Sequence, residues 1–145
     1  MGIHDTDPNT PNKEFAPEGW HVPTDAEWTT LENYLIANGY NYDGTTTANI
    51  IAKAMSSTTG WNSSTEPGAP GNDQSTNNSS GFNAFPEGYR SYNGSFFNEV
   101  NFAIFWSSTE YSPIAWSRSL YFDNFTLDRY YYSIKRDGCS VRFVR

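Results

Sequence analysis

The chain has 145 residues, enough for one domain with one sizeable core. Its net charge of −7 and pI near 4.6 exclude a phosphate-neutralising nucleic-acid surface, which needs clustered Lys and Arg. Aromatic residues make up 17% of it, so the core must lean on Trp, Tyr and Phe, which bury large areas and keep polar handles.

The charge is uneven. Residues 1–89 hold Lys13 and Lys53 against eleven acids, whereas residues 90–145 hold seven Arg or Lys against five acids. No run of about eighteen apolar residues occurs, and "MGIHDTDPNTPNKEF" has no apolar signal core, so nothing in the sequence reads as a membrane span or an export signal. With Cys139 as the single cysteine, no disulfide can form within the chain.

Residues 1–18 are polar, contain three prolines and read as a flexible arm, ahead of one domain over residues 19–145. In "GWHVPTDAEW" Thr24 can cap a helix and Glu27, three residues on, completes a capping box. The helix is expected from Asp25 to Asn38, with Trp28, Leu31 and Leu35 on one face and Gly39 as its left-handed stop. A second short helix fits "TANIIAKAM". Residues 56–81 are rich in Ser, Thr, Asn, Gly and Pro around Trp61, a composition that buries little apolar area, and read as a surface excursion. "NFAIFWSSTEY" and "IAWSRSLYF" read as strands, and so does the alternating end "CSVRFVR". Helices come first and strands last, with no βαβ alternation, so the fold class is α+β.

The blocks "GWHVPTDAEW", "GFNAFPEGYR", "FWSSTEYS", "AW" followed by "LYF", the Tyr-rich run and "SVRFVR" together resemble the Fibrobacter succinogenes major paralogous domain family, over roughly residues 17–145. The resemblance implies a C-type-lectin-like fold: two helices, a twisted antiparallel sheet and long irregular loops. It also implies kinship with the variable proteins of diversity-generating retroelements, whose ligand-facing residues cluster near the C-terminus, after the counterpart of "WSSTEY". The polar arm stands where the family carries upstream strands with a "G-Q-W-M" type motif. Enzymatic relatives of the fold hold copper with paired cysteines or iron with three histidines, and one Cys with two His assembles neither site. No catalytic residue, metal or cofactor is therefore expected.

His21, with no second His or Cys near it in sequence, reads as a buried structural imidazole rather than a ligand, and His4 lies in the arm. Cys139 reads as a small buried thiol before the last strand. "GNDQSTNNSSG" offers Asn72, Asp73, Gln74 and Asn77 as oxygen donors, but in no recognised calcium-loop pattern.

The segment "SLYFDNFTLDRYYYS" has six aromatics among its fifteen residues, mixed with Asp, Asn, Thr and Arg. Alternation along "AWSRSLYF" puts Trp116, Arg118, Leu120 and Phe122 on one side, suited to burial. Ala115, Ser117, Ser119 and Tyr121 then form the side expected to face solvent. "DN" at 123–124 supports a turn into a returning segment that must display some of its tyrosines. Exposed Tyr with Ser, Asn and Asp matches the composition of antibody paratopes, in which Tyr gives contact area at low entropic cost. The expected ligand-facing residues are Tyr111, Ser112, Ile114, Ser117, Ser119, Tyr121, Asp123, Phe125, Tyr130, Tyr132 and Ser133. The expected partner is a protein or other cell-surface ligand, with no nucleic acid and no membrane insertion, at a bacterial surface or on a phage virion. The alternatives are that these tyrosines plug the sheet against residues 56–81, and that the chain is an undiversified structural or adhesive module of the same fold.

Overall fold

The computed structural model describes residues 16–145, apart from the side chains of residues 131–133. Most of the expected arm, His4, and the side chains of Tyr132 and Ser133 lie outside the described residues.

Helix α1 spans Asp25–Ala37. Thr24 Oγ1 accepts from the Glu27 amide at 3.2 Å, and the Thr24 amide donates to Glu27 Oε2 at 2.8 Å, so two otherwise orphaned amides of the first turn are satisfied. The helix stops as expected, with Asn38 as its cap and Gly39 at φ +77°. Trp28 and Leu35 are buried, and Leu31 packs against the same core.

The second helix shrinks to one turn, α2, Ala52–Met55. Asn49, expected inside it, is engaged elsewhere: its amide donates to Leu127 O at 2.8 Å and accepts from the Leu127 amide at 3.2 Å, like a short piece of sheet.

Residues 56–81 keep part of the expected surface character, with residues 58–60 and 65–67 exposed, but are anchored to the core. Ser56, Ser57, Trp61, Ala69, Pro70 and Asn77 are buried. Polar side chains do the ordering that apolar ones could not. Gln74 accepts from the Trp61 amide at 3.0 Å and donates to its carbonyl at 2.8 Å, and Asn77 Nδ2 donates to Ser57 O at 2.8 Å and Pro70 O at 3.0 Å. Backbone groups taken from water thereby keep partners.

One 3-10 turn, Gln74–Thr76, lies within residues 56–81, and the other elements are all β. A hairpin pairs β1 (Tyr89–Arg90) with β2 (Phe96–Phe97), antiparallel, with Tyr89 opposite Phe97. A second antiparallel sheet has the order β3–β4–β5, from Phe102–Tyr111, Ile114–Tyr121 and Asp128–Ile134. The architecture is α+β, as read from the sequence. "CSVRFVR" is not a continuous strand and makes only single bridges, Ser140 to Phe105 and Val144 to His21.

Register sorts the larger sheet into two faces. One carries Ala103, Phe105, Arg118 and Leu120 and closes on Trp28, Leu35, Ile51, Met55, Trp61 and Leu127 as the main core. Trp28, Phe82 and Phe105 meet there with ring centroids 5.4–5.9 Å apart, and the Trp28 indole donates to Trp106 O at 3.3 Å. The other face carries Phe102, Ile104, Trp106, Ser117, Ser119 and Tyr121, with Asp128 and Tyr130 from β5. Sequence alternation assigns Ser117 and Ser119 to solvent; both are 0% exposed. The second face of β4 is covered as well: Phe102 packs on Tyr121 with centroids 4.6 Å apart, and Tyr130 of β5 lies opposite Ser117.

Candidate functional site

Behind the second face lies a cavity of about 300 Å³ lined by Tyr89, Asn98, Phe102, Ile104, Tyr121, Tyr130, Asp137 and Cys139. Three parts of the chain build it. The sheet supplies Phe102, Ile104, Tyr121 and Tyr130, the β1–β2 hairpin and its exit supply Tyr89 and Asn98, and the run before the C-terminus supplies Asp137 and Cys139.

The rings form a chain of contacts. Phe97 stacks on Tyr89 with centroids 5.7 Å apart, Tyr89 meets Phe102 edge-on at 6.4 Å, and Phe102 lies 4.6 Å from Tyr121. The hairpin is clamped to this sheet by its backbone: the Gly88 amide donates to Phe102 O at 2.7 Å, and Arg90 and Gly138 exchange hydrogen bonds at 2.8 and 2.7 Å. Gly88 has φ +63°, and a Cβ there would sit 2.0 Å from Phe97 O, so only glycine permits this approach. At the hairpin tip the Tyr92 amide donates to Asp137 Oδ1 at 2.8 Å, which fixes the carboxylate at the cavity wall.

The cavity holds neutral acids firmly protonated. Burial, then the charge of Asp128 and the neighbouring Tyr130, pushes the Tyr121 phenol up to about 12. Burial, then Asp137, pushes the Cys139 thiol up to about 12 as well. Such a thiol is a poor nucleophile at neutral pH, although Cys139 is half-buried at the cavity wall rather than fully buried as read from the sequence.

The expected ligand-facing residues divide. Tyr111 is 56% exposed and Tyr130 39%, while Ser112 and Asp123 are exposed too. Ile114 is half-buried, opposite Tyr111 and Ile134. Tyr121 is half-buried in the cavity wall, and Phe125 is half-buried with its ring 6.3 Å from Tyr42. Ser117 and Ser119 are corrected outright: they lie beneath the surface, and Ser117 Oγ donates to Tyr130 O at 3.2 Å. Tyr111 lies against Trp116, centroids 5.6 Å apart, at the far end of the sheet from Phe102. The expected set is therefore not one patch.

Sequence reasoning missed the hairpin. Tyr92, Phe96 and Phe97 are exposed, with Phe96 at 65%, and Tyr89, Asn98 and Asp137 shape the cavity. The signal was present: "YRSYNGSFF" places aromatics on both sides of Asn-Gly, the strongest short hairpin cue.

The core side of the sheet has its own polar node. Arg118 is 0% exposed; its Nη1 donates to Asp25 Oδ1 at 2.7 Å and its Nη2 to Thr29 Oγ1 at 3.0 Å, with Glu32 3.6 Å from Nε. Arg129 reaches the same carboxylate, Nη2 to Oδ2 at 2.7 Å, while its guanidinium lies 3.4 Å over the Trp116 ring. Burial alone would raise the Asp25 pKa, but hydrogen bonds from Arg129 and Arg118 outweigh it and hold the carboxyl below its ordinary value. Burial, partly opposed by Arg118, raises Glu32. The node ties α1 to the sheet.

The remaining polar candidates are also engaged within the fold. His21 is exposed rather than buried, and its Nε2 lies 2.8 Å from Glu27 Oε1. The Lys53 ammonium donates to the carbonyls of Asn72 and Asp73, placing a protein cation within the oxygen-rich loop. Among the described residues no three His, Cys, Asp or Glu side chains gather as metal ligands, and no helix is long and apolar enough to cross a membrane.

Fold and site together define a class: an α+β domain whose antiparallel sheet backs a ring-lined cavity beside an exposed aromatic hairpin. Within that class the family is specific. The chain matches the Fibrobacter succinogenes major domain over residues 5–145 and belongs to that family. No curated protein and no solved structure matches it.

Proposed function

We propose that the chain is a ligand-binding module, not an enzyme, that presents the hairpin and the cavity beside it to a protein or other ligand on a cell surface. The observation that carries this reading is exposed aromatic surface on and beside the hairpin: Tyr92, Phe96 and Phe97 face solvent there, and Tyr130, also exposed, lines the neighbouring cavity. Exposed aromatic groups gathered at a depression mark recognition surfaces, because each buries a large area when a partner covers it. The test is a fluorescent, multimerised form of the protein applied to bacterial cells, compared with the triple variant Tyr92→Ala, Phe96→Ala, Tyr130→Ala. Saturable staining that the variant loses, at an unchanged melting temperature, is the expected result; equal staining by the two proteins overturns the reading.

The finer proposal is a C-type-lectin-like variable protein of a diversity-generating retroelement, displayed on a bacterium or its phage. Its support is the family membership together with the exposed Tyr111, Ser112, Asp123 and Tyr130 within residues 111–133. An undiversified adhesive module has support of its own, since Ser117, Arg118 and Ser119 lie in the same segment with no exposed surface. Neighbouring DNA decides between them: a near-copy of the 3′ coding end differing mainly at adenines is expected for the first and missing for the second.

A further inference from the structure

Four arginines in this chain lie over aromatic rings: Arg129 over Trp116, Arg136 over Tyr92, Arg142 over Phe82 and Arg145 over Trp20, at 3.4–5.3 Å from the ring centroids. A ring face attracts a cation through its quadrupole, most strongly where water is thinned out. Among the described residues no arginine or lysine lies over Tyr89, Phe102 or Tyr121, the three linked rings of the cavity wall, and none lines the cavity. The lining does include a carboxylate. Asp137 is held by the Tyr92 amide through Oδ1, and Oδ2 has no protein donor among the described residues. Asp128 stands on the same face, opposite Ser119.

We infer that the cavity receives a positively charged ammonium group of the ligand, seated against Tyr89, Phe102 and Tyr121 and neutralised by Asp137. The inference rests on the binding-module reading and gives its ligand a chemistry. Size agrees with it, since about 300 Å³ admits an alkylammonium head with part of its chain but not a folded segment. Charge agrees as well: Asp137 lines the cavity, Asp128 stands on the same face of the sheet, and no lysine or arginine is among the lining residues. An anion would meet Asp137 with no lining cation to offset it. A neutral apolar group would shut water away from the carboxylate and bring no charge to offset its own, which is unfavourable.

An ammonium head has two sources, a lysine side chain of a protein or a methylated ammonium such as a choline headgroup. The test follows the ring resonances of Tyr89, Phe102 and Tyr121 by NMR while titrating Nα-acetyl-lysine amide, choline, and 3,3-dimethylbutan-1-ol, the uncharged analogue of choline. Saturable shifts with at least one ammonium probe are expected, with the uncharged analogue about tenfold weaker than choline, the size of a partly desolvated cation–π contact. Whichever ammonium probe binds more tightly identifies the source. Asp137→Asn is expected to weaken binding about tenfold, and Tyr121→Leu, which keeps the apolar bulk but removes the ring face, about fivefold. Equal binding of choline and its uncharged analogue, or affinity untouched by Asp137→Asn in a protein of native circular dichroism, overturns the inference. If N-acetylglucosamine shifts these rings and neither ammonium probe does, the ammonium assignment falls while the binding-module reading stands. Loss of the module reading itself is seen separately, in equal cell staining by the triple variant.

Discussion

On the helix side of the β3–β4–β5 sheet, Arg118 has no exposed surface and is held by a carboxylate from α1, 93 residues earlier in the chain. On the opposite side, one residue away in either direction, Ser117 and Ser119 are equally buried but carry only small hydroxyls. The same strand thus carries a charge that the fold closes over completely and, on its reverse, Tyr121, which forms part of the cavity wall. A buried guanidinium is tolerated only where its counter-ions and hydrogen bonds are built in, so that side is committed to stability. The cavity side has its carboxylate and its rings but no lining cation, which suits it to a charge brought from outside.

The contrast breaks most sharply at Asp25. Asp25→Ala leaves Arg118 buried without its nearest carboxylate and is expected to cost about 3–5 kcal/mol in chemical denaturation, with the ring resonances of the cavity unmoved. Because the folded pKa of Asp25 is depressed below its ordinary 3.8, its contribution is present above that value and lost as pH falls through the folded pKa. The wild-type protein should therefore lose stability on acidification below about pH 4 more steeply than the variant does. Parallel acid limbs would remove the node from the account of stability.

A smaller loss is expected at Gly88, on the other side. Alanine there meets the Phe97 carbonyl and a strained φ at once, and should cost about 1–3 kcal/mol while releasing β2 from β1. Hydrogen exchange should rise at Tyr89, Arg90 and Phe97 and stay unchanged in α1. Exchange rising equally in both places would mean that hairpin and helix open as one unit.

The smallest effect sharpens the comparison. Ser119 Oγ is buried with no hydrogen-bond partner among the described residues, whereas the Nη atoms of Arg118 beside it are bound by Asp25 and Thr29. Ser119→Ala is therefore expected to be neutral or stabilising, within about 1 kcal/mol, and to leave ligand binding unchanged. A clear loss of binding in that variant would restore Ser119 to the contact surface.

Local chemistry made α1 legible, because a cap is a contact between residues three apart and both Thr24 and Glu27 are written side by side with it. Strands β3 and β4 were legible in extent for a similar reason, their β-branched and aromatic content. The anchoring of residues 56–81 was not legible because composition reports apolar area but not where Gln74 and Asn77 send their amides. His21 was misplaced because its partner Glu27 lies on the next turn of chain, pulling it outward into a polar contact.

By itself, then, the sequence determined the α+β class, the capped first helix, the main strands and the family blocks, since each depends on neighbours within a few residues. Only the tertiary structure decided that β4 is covered on both faces, that Asp25 neutralises Arg118, and that Tyr89, Phe102, Tyr121, Tyr130 and Asp137 share one cavity. The physical reason is that alternation states which side chains share a face, whereas solvent access depends on what packs across from that face, and those groups come from distant parts of the chain.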